Sequence, residues 1–173
     1  MKNLFSKSII KNIFVAIFFA LFVLLSVMII YFSTENGEQS SQTSGTVGEI
    51  VATAADSIGI HVDKNSDSYK NFIRKMFGHF GLFFATSLDA VLVTLLLKNN
   101  PHVKRIVSYV FLGYGLVLAT ITEIIQTQAG ERSGQFVDVL IDYAGFIIPL
   151  GIYLLSSFII YRKNRKKCRM IEV

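Results

Sequence analysis

Twenty consecutive residues, Ile13 to Phe32, carry no charge. A helix of that length covers about 30 Å at about 1.5 Å per residue, the thickness of a bilayer's hydrocarbon core. Lys2, Lys7 and Lys11 precede it in the manner of a signal-peptide leader. The apolar stretch, however, exceeds the roughly 7–15 residues of a signal core, and no small-residue cleavage pattern follows across Tyr31 to Asn36. A retained anchor is the expectation. Three further apolar stretches cover residues 76–97, 106–125 and 136–161. Each is long enough to cross a membrane as a helix. Composition agrees, with 52% hydrophobic and 17% charged side chains. A soluble domain carries roughly 25% charged residues, and a disordered chain is far less apolar. The single cysteine, Cys168, excludes an internal disulfide and a cysteine-based metal site.

The placement of charge orients the spans. Twelve Lys and Arg residues fall before span one, between spans two and three, and after span four, against five on the opposite side. The positive-inside rule then puts both termini in the cytoplasm. The fold expected is all-α: an integral membrane four-helix bundle, one domain over residues 1–173, with residues 33–73 as an extracellular loop. The basic tail from Arg162 to Arg169 reads as a topology anchor beside anionic lipid. Nucleic acid is therefore not an expected partner. Within the loop, Val47, Ile50, Val51, Ala54 and Ile58 recur at helical spacing, with Ser44 as a plausible cap. That helix would pack on the end of the bundle or lie at the interface as a lid.

Ionisable residues inside a span cost roughly 2.5–3.5 kcal/mol each at its centre, so they are rare and face the bundle interior or water. Here they gather. Lys75 and His79 share a face at the outer end of span two, Glu123 and Gln126 at the outer end of span three, and Asp138 and Asp142 at the outer start of span four. Arg132 and Ser133 sit in the turn between the last two spans. Gly115 and Ala119 continue the Glu123 stripe with small residues that permit close helix approach. Pro149 would kink span four unless neighbours satisfy the carbonyl it frees. Asp89 lies deeper and is expected to find a polar partner.

Beside carboxylates, His79 could act as a general acid or base. Crowded carboxylates in a low-dielectric pocket set an acid beside a base. Arg74, Lys75 and Arg132 could hold a phosphate or carboxylate. The competing reading is architectural, with Arg132 neutralising Asp138 or Asp142 to lock the bundle. No His-x-x-x-His spacing, phosphate loop or nucleotide fingerprint is present, so neither metal nor cofactor is expected.

At these positions the chain resembles the VanZ-like family of bacterial membrane proteins. The resemblance rests on Ile73-Arg74-Lys75 with His79-Phe80, Glu123-Ile124-Ile125-Gln126, Arg132-Ser133-Gly134, and Asp138 to Asp142 followed by Gly145. The loop opening, Phe32-Ser33 with Gly37 to Ser41 and Ser44-Gly45, fits the same pattern. The family often has Tyr four residues after the histidine, where this chain has Phe83, and often Asn at the place of Asp142. The resemblance implies a multi-pass protein of the bacterial cytoplasmic membrane linked to low-level resistance to teicoplanin-type glycopeptides. It implies no particular reaction and no oligomeric state.

The site expected is an outward-facing pocket. His79, Glu123 and Asp138 are its candidate catalytic groups. Arg74, Lys75, Gln126, Arg132, Ser133 and Asp142 are its candidate binding groups. Membrane lipids are the expected partners, and the expected ligand is an anionic lipid, a lipid-linked cell-wall precursor or a lipoglycopeptide. A structural or accessory protein without catalysis is the alternative. A proton-coupled transporter is a third, more distant one, because only Asp89 lies deep in a span.

Overall fold

The computed structural model describes residues 2–97, 100–129 and 135–171, with side chains for 8–165 within those ranges. The described residues are helical, with short connections and no strand. Helix α1 covers Lys2–Ser33, α2 Gly37–Ser57 and α3 Asp67–Ile73. A π-helical segment, Arg74–Gly81, joins α3 to α4, Leu82–Leu96. Then come α5, Pro101–Gln128, and α6, Phe136–Ile171. Among the described residues, four stretches are long and apolar enough to cross a membrane: Ser8–Ser33, Asp67–Leu96, Pro101–Gln128 and Phe136–Arg165.

Local chemistry sets the ends of these helices. Asn36 Oδ1 accepts from Gln39 N at 2.9 Å, and Gln39 Oε1 accepts from Asn36 N at 3.2 Å, a reciprocal cap that starts α2. The cap is thus Asn36 rather than Ser44, which lies inside the helix. Asn100 Oδ1 accepts from His102 N at 3.0 Å, and Pro101 occupies the first turn, where its missing N–H costs nothing. At the far end of α4, Lys104 Nζ donates to Leu95 O at 2.9 Å and Lys11 Nζ to Leu97 O at 3.1 Å. Cations of α5 and α1 thereby satisfy carbonyls that the α4 C-terminus leaves open.

Helix α4 is central and packs against α1, α5 and α6. Phe83, Ala90 and Val93 of α4 meet Phe22, Ile29, Phe111, Leu118, Ala119, Phe146 and Leu150 in one buried cluster. Phe22 of α1 stacks toward Phe111 and Tyr114 of α5, with ring centroids 5.0 and 5.2 Å apart. Lipid is as apolar as these side chains, so close fit rather than escape from water holds such helices together. Gly115 shows the fit: a Cβ there would clash with the Phe146 ring. With Ala119 and Glu123 also buried, the small-residue stripe of α5 is where α6 docks. Pro149 stands inside α6, which continues beyond it as helix. Ser87 Oγ of α4 donates to Phe146 O, next to the Gly145 O that Pro149 frees, at 2.5 Å.

The amphipathic reading of α2 is partly overturned. Val47 and Val51 are half-buried, but Ile50 is 67% exposed and Ile58, just past the helix end, 73%. The packed face runs instead through Ser40, Gly48 and Ala52. Tyr69 Oη donates to Gly48 O at 2.6 Å, and its ring would stand 3.3 Å from a Cβ at Gly48. That approach is closer than a branched side chain allows, which is why small residues rather than isoleucines make the contact.

Candidate functional site

The polar side chains meet where the π-helical segment lies against α6. A π turn spreads one extra residue over its hydrogen-bonded ring, changing the phase between α3 and α4 by about 100° per inserted residue. Within that segment Lys75 and His79 both reach the first two turns of α6. The approach is close because Gly145 has no side chain; a Cβ there would lie 2.5 Å from Phe80 O.

Lys75 Nζ pairs with Asp138 Oδ1 at 2.8 Å. His79 Nδ1 contacts Asp142 Oδ1 at 3.0 Å, and His79 Nε2 lies 3.9 Å from Asp138 Oδ2, too far for a hydrogen bond. With Asp142 accepting, Nδ1 carries the hydrogen and Nε2 is the face left for another group. Asp142 is fully buried, and its second oxygen, Oδ2, has no partner among the described residues. From α5, Glu123 Oε1 accepts from the backbone N–H of Gln135, at the threshold of α6. Glu123 Oε2 is buried without a described partner, and so is Arg74 Nε. The other end of the Arg74 guanidinium is held by Asn71 Oδ1 at 3.2 Å.

A cavity of about 170 Å³ adjoins this cluster. Arg74, His79, Gln126 and Asp142 face it, together with Phe83 of α4. Its opposite wall comes from the end of α1 and the start of α2, through Ser33, Glu35, Ser40, Thr43 and Ser44. Glu35 there accepts from Thr43 Oγ1 at 3.1 Å.

The structure therefore brings Arg74, Lys75, His79, Gln126, Asp138 and Asp142 to one end of the bundle, with Glu123 beside them. Arg132 and Ser133 lie outside the described residues. Lys75 and Asp138 answer each other, while Arg74, His79, Gln126 and Asp142 face the open space. The hydroxyl-rich wall from α1 and α2 escaped the sequence reading, although the Asn36-x-x-Gln39 cap that places it was there to be read. Asp89 departs from expectation: it is buried, and neither oxygen has a partner among the described residues. The hydroxyls of α4 are committed elsewhere, Thr86 to Leu82 O, Ser87 to Phe146 O and Thr94 to Ala90 O.

This combination of His79 with Asp142, Lys75 with Asp138, and Glu123 at the α6 threshold spans the central part of the chain. A family model, VanZ/LLP1, matches residues 17–159. The chain belongs to the VanZ/LLP1 family. The match takes in the second and third apolar stretches whole, most of the first and fourth, and every residue of the cluster, so this VanZ/LLP1 member is a membrane protein whose polar site lies within the family's shared region. No curated protein and no solved structure matches the chain.

Proposed function

We propose that this VanZ/LLP1 protein binds an anionic lipid, a lipid-linked envelope precursor or a lipoglycopeptide at the outer face of the bacterial cytoplasmic membrane, and so contributes to resistance to teicoplanin-type glycopeptides. In this reading both termini are cytoplasmic, and α2 and α3 lie outside. One observation carries it: a buried guanidinium edge, Arg74 Nε, is left without a partner beside a cavity that Gln126 and the His79–Asp142 pair also face. An unmet buried donor costs about 1–3 kcal/mol, more when charged, and a turn of the Arg74 side chain toward an anion in the cavity relieves it. Charge-assisted bonds from a guanidinium suit a phosphate or carboxylate.

The His79–Asp142 pair adds a proton acceptor at the same place. Asp142 fixes the imidazole through Nδ1, leaving Nε2 to hydrogen-bond a hydroxyl or amide of the ligand. Lys75 holds Asp138, and Glu123 pins the start of α6. These two therefore support the position of Asp142 rather than meet the ligand directly. A purely architectural role is the second reading, favoured by that same Lys75–Asp138 pair, since such pairs also lock bundles.

Glycopeptide susceptibility of cells carrying Arg74→Gln, His79→Gln or Asp142→Asn separates the two. Under the binding reading, resistance disappears while membrane abundance and detergent-solution melting stay near wild type. Parallel loss of abundance and resistance supports the architectural reading instead. Comparing the envelope lipids of cells with and without the gene then shows whether one species is chemically altered or only bound.

A further inference from the structure

The walls of the cavity come from helices that do not close on one another. Helix α1 packs along α4 and α5, but among the described residues it makes no comparable contact with the π-helical segment or with α2. Even so, Ile29 and Phe32 of α1 border the same cavity as Phe77, Gly78 and Leu82. A slot thus separates α1 from the π-helical segment, with hydrocarbon side chains along both edges. Phe77 is 46% exposed, Gly78 is exposed, and a Cβ at Gly78 would meet nothing within 4 Å. On the facing wall Thr43 is exposed as well, so the lining comes to the surface at both places.

Both edges belong to stretches long and apolar enough to cross a membrane, Ser8–Ser33 and Asp67–Leu96, the second counted from beyond α3 when α3 lies outside. Phe77 and Gly78 then stand at the outer end of the second stretch, and Phe32 at the outer end of the first. An opening between them lies at the lipid boundary. Behind it stand the polar groups, Arg74, Gln126 and the His79–Asp142 pair. The chamber of about 170 Å³ is smaller than the roughly 300–1,000 Å³ of sites that enclose a drug-sized molecule. A headgroup is within that volume, and a hydrocarbon tail is beyond it.

We infer that the ligand is a lipid-tailed anion that enters sideways from the bilayer, with its tail against Ile29, Phe32, Phe77 and Leu82 and its head at Arg74. This inference rests on the anion-binding reading of the cavity and narrows it: a water-soluble anion of the same head chemistry is not the ligand. A Cβ at Gly78 has room, and a large side chain built on it stands in the path of the tail.

The test measures binding to the full-length protein in phosphatidylcholine nanodiscs, after subtraction of binding to empty nanodiscs, with two probes sharing one phosphodiester head. Lysophosphatidylglycerol carries a tail, and glycerophosphoglycerol has none. Lysophosphatidylglycerol should bind and glycerophosphoglycerol should not at equal concentration. Gly78→Trp should weaken lysophosphatidylglycerol by at least about tenfold, the worth of roughly two buried methylenes. The control Gly45→Trp, on the exposed face of α2 with open space around it, should leave binding unchanged. Equal binding of the two probes, or full affinity in folded Gly78→Trp, overturns the sideways route while the anion site stands. Binding of neither probe overturns the anion site and this inference together. If Gly78→Trp does not fold, Gly78→Leu replaces it, and the comparison of the two probes on the unmutated protein decides by itself.

Discussion

Gly145→Ala isolates the geometry on which the site depends. The added methyl would lie 2.5 Å from Phe80 O, 3.2 Å from Phe80 C and 3.3 Å from Phe80 Cα, whereas ordinary contact begins near 3.4 Å. The obstacle is backbone on both sides, so no side chain can turn away. The π-helical segment and α6 must part by about 0.9 Å along that line. A shift of that size lengthens the His79–Asp142 contact from 3.0 Å to at most about 3.9 Å and the Lys75–Asp138 pair from 2.8 Å to at most about 3.7 Å, limits that lie beyond hydrogen-bond range. Overpacking a tight interface costs about 1–3 kcal/mol. The variant is expected to reach the membrane, melt several degrees earlier in detergent, and lose most of the glycopeptide resistance proposed above. Gly113→Ala is the matched control, because a Cβ at that position meets nothing within 4 Å. Wild-type melting and resistance in Gly145→Ala would refute the argument that close approach at Gly145 assembles the site.

Two further outcomes follow from the same contacts. Lys75→Met leaves the buried Asp138 carboxylate without its cation and should lower stability by about 1–3 kcal/mol, while Lys75→Met with Asp138→Asn should recover part of that loss. Thermal melting of the single and double variants in detergent checks this, and additive losses would mean that the pair carries no coupling. Asn36→Ala removes one half of the reciprocal cap and should cost α2 about 1 kcal/mol. Hydrogen exchange should then rise through the first turns of α2, with α4 unchanged, and Asn36→Asp should restore protection.

Much of the architecture was legible because a bilayer leaves a chain few choices. An uncharged run such as Ile13 to Phe32 must satisfy its backbone internally, so it is a helix, and its length matches the hydrocarbon thickness. The same economy made the polar cluster visible: charged residues at span ends are costly enough that Lys75, His79, Glu123, Asp138 and Asp142 had to be explained together. The packed face of α2 was less legible. Its isoleucines carry the helical period, yet the helix docks through Ser40, Gly48 and Ala52. The wall it packs on is close enough to reward small residues, and period alone cannot say which side meets a neighbour. Asp89 shows the same limit, since the hydroxyls near it in sequence were already committed to carbonyls.

The sequence by itself determined that four apolar helices form, that polar side chains cluster at the ends of three of them, and that the chain carries the VanZ-like pattern. Only the tertiary structure decided which of those side chains answer each other and which face open space. Lys75 goes to Asp138 and His79 to Asp142 because a π-helical segment resets the phase of the second span and Gly145 lets α6 close on it. Neither effect has a periodic signature, because each depends on how two backbones meet. The cavity is of the same kind. Its far wall comes from the end of α1 and the start of α2, where the chain turns back, and that juxtaposition exists only once the helices have packed.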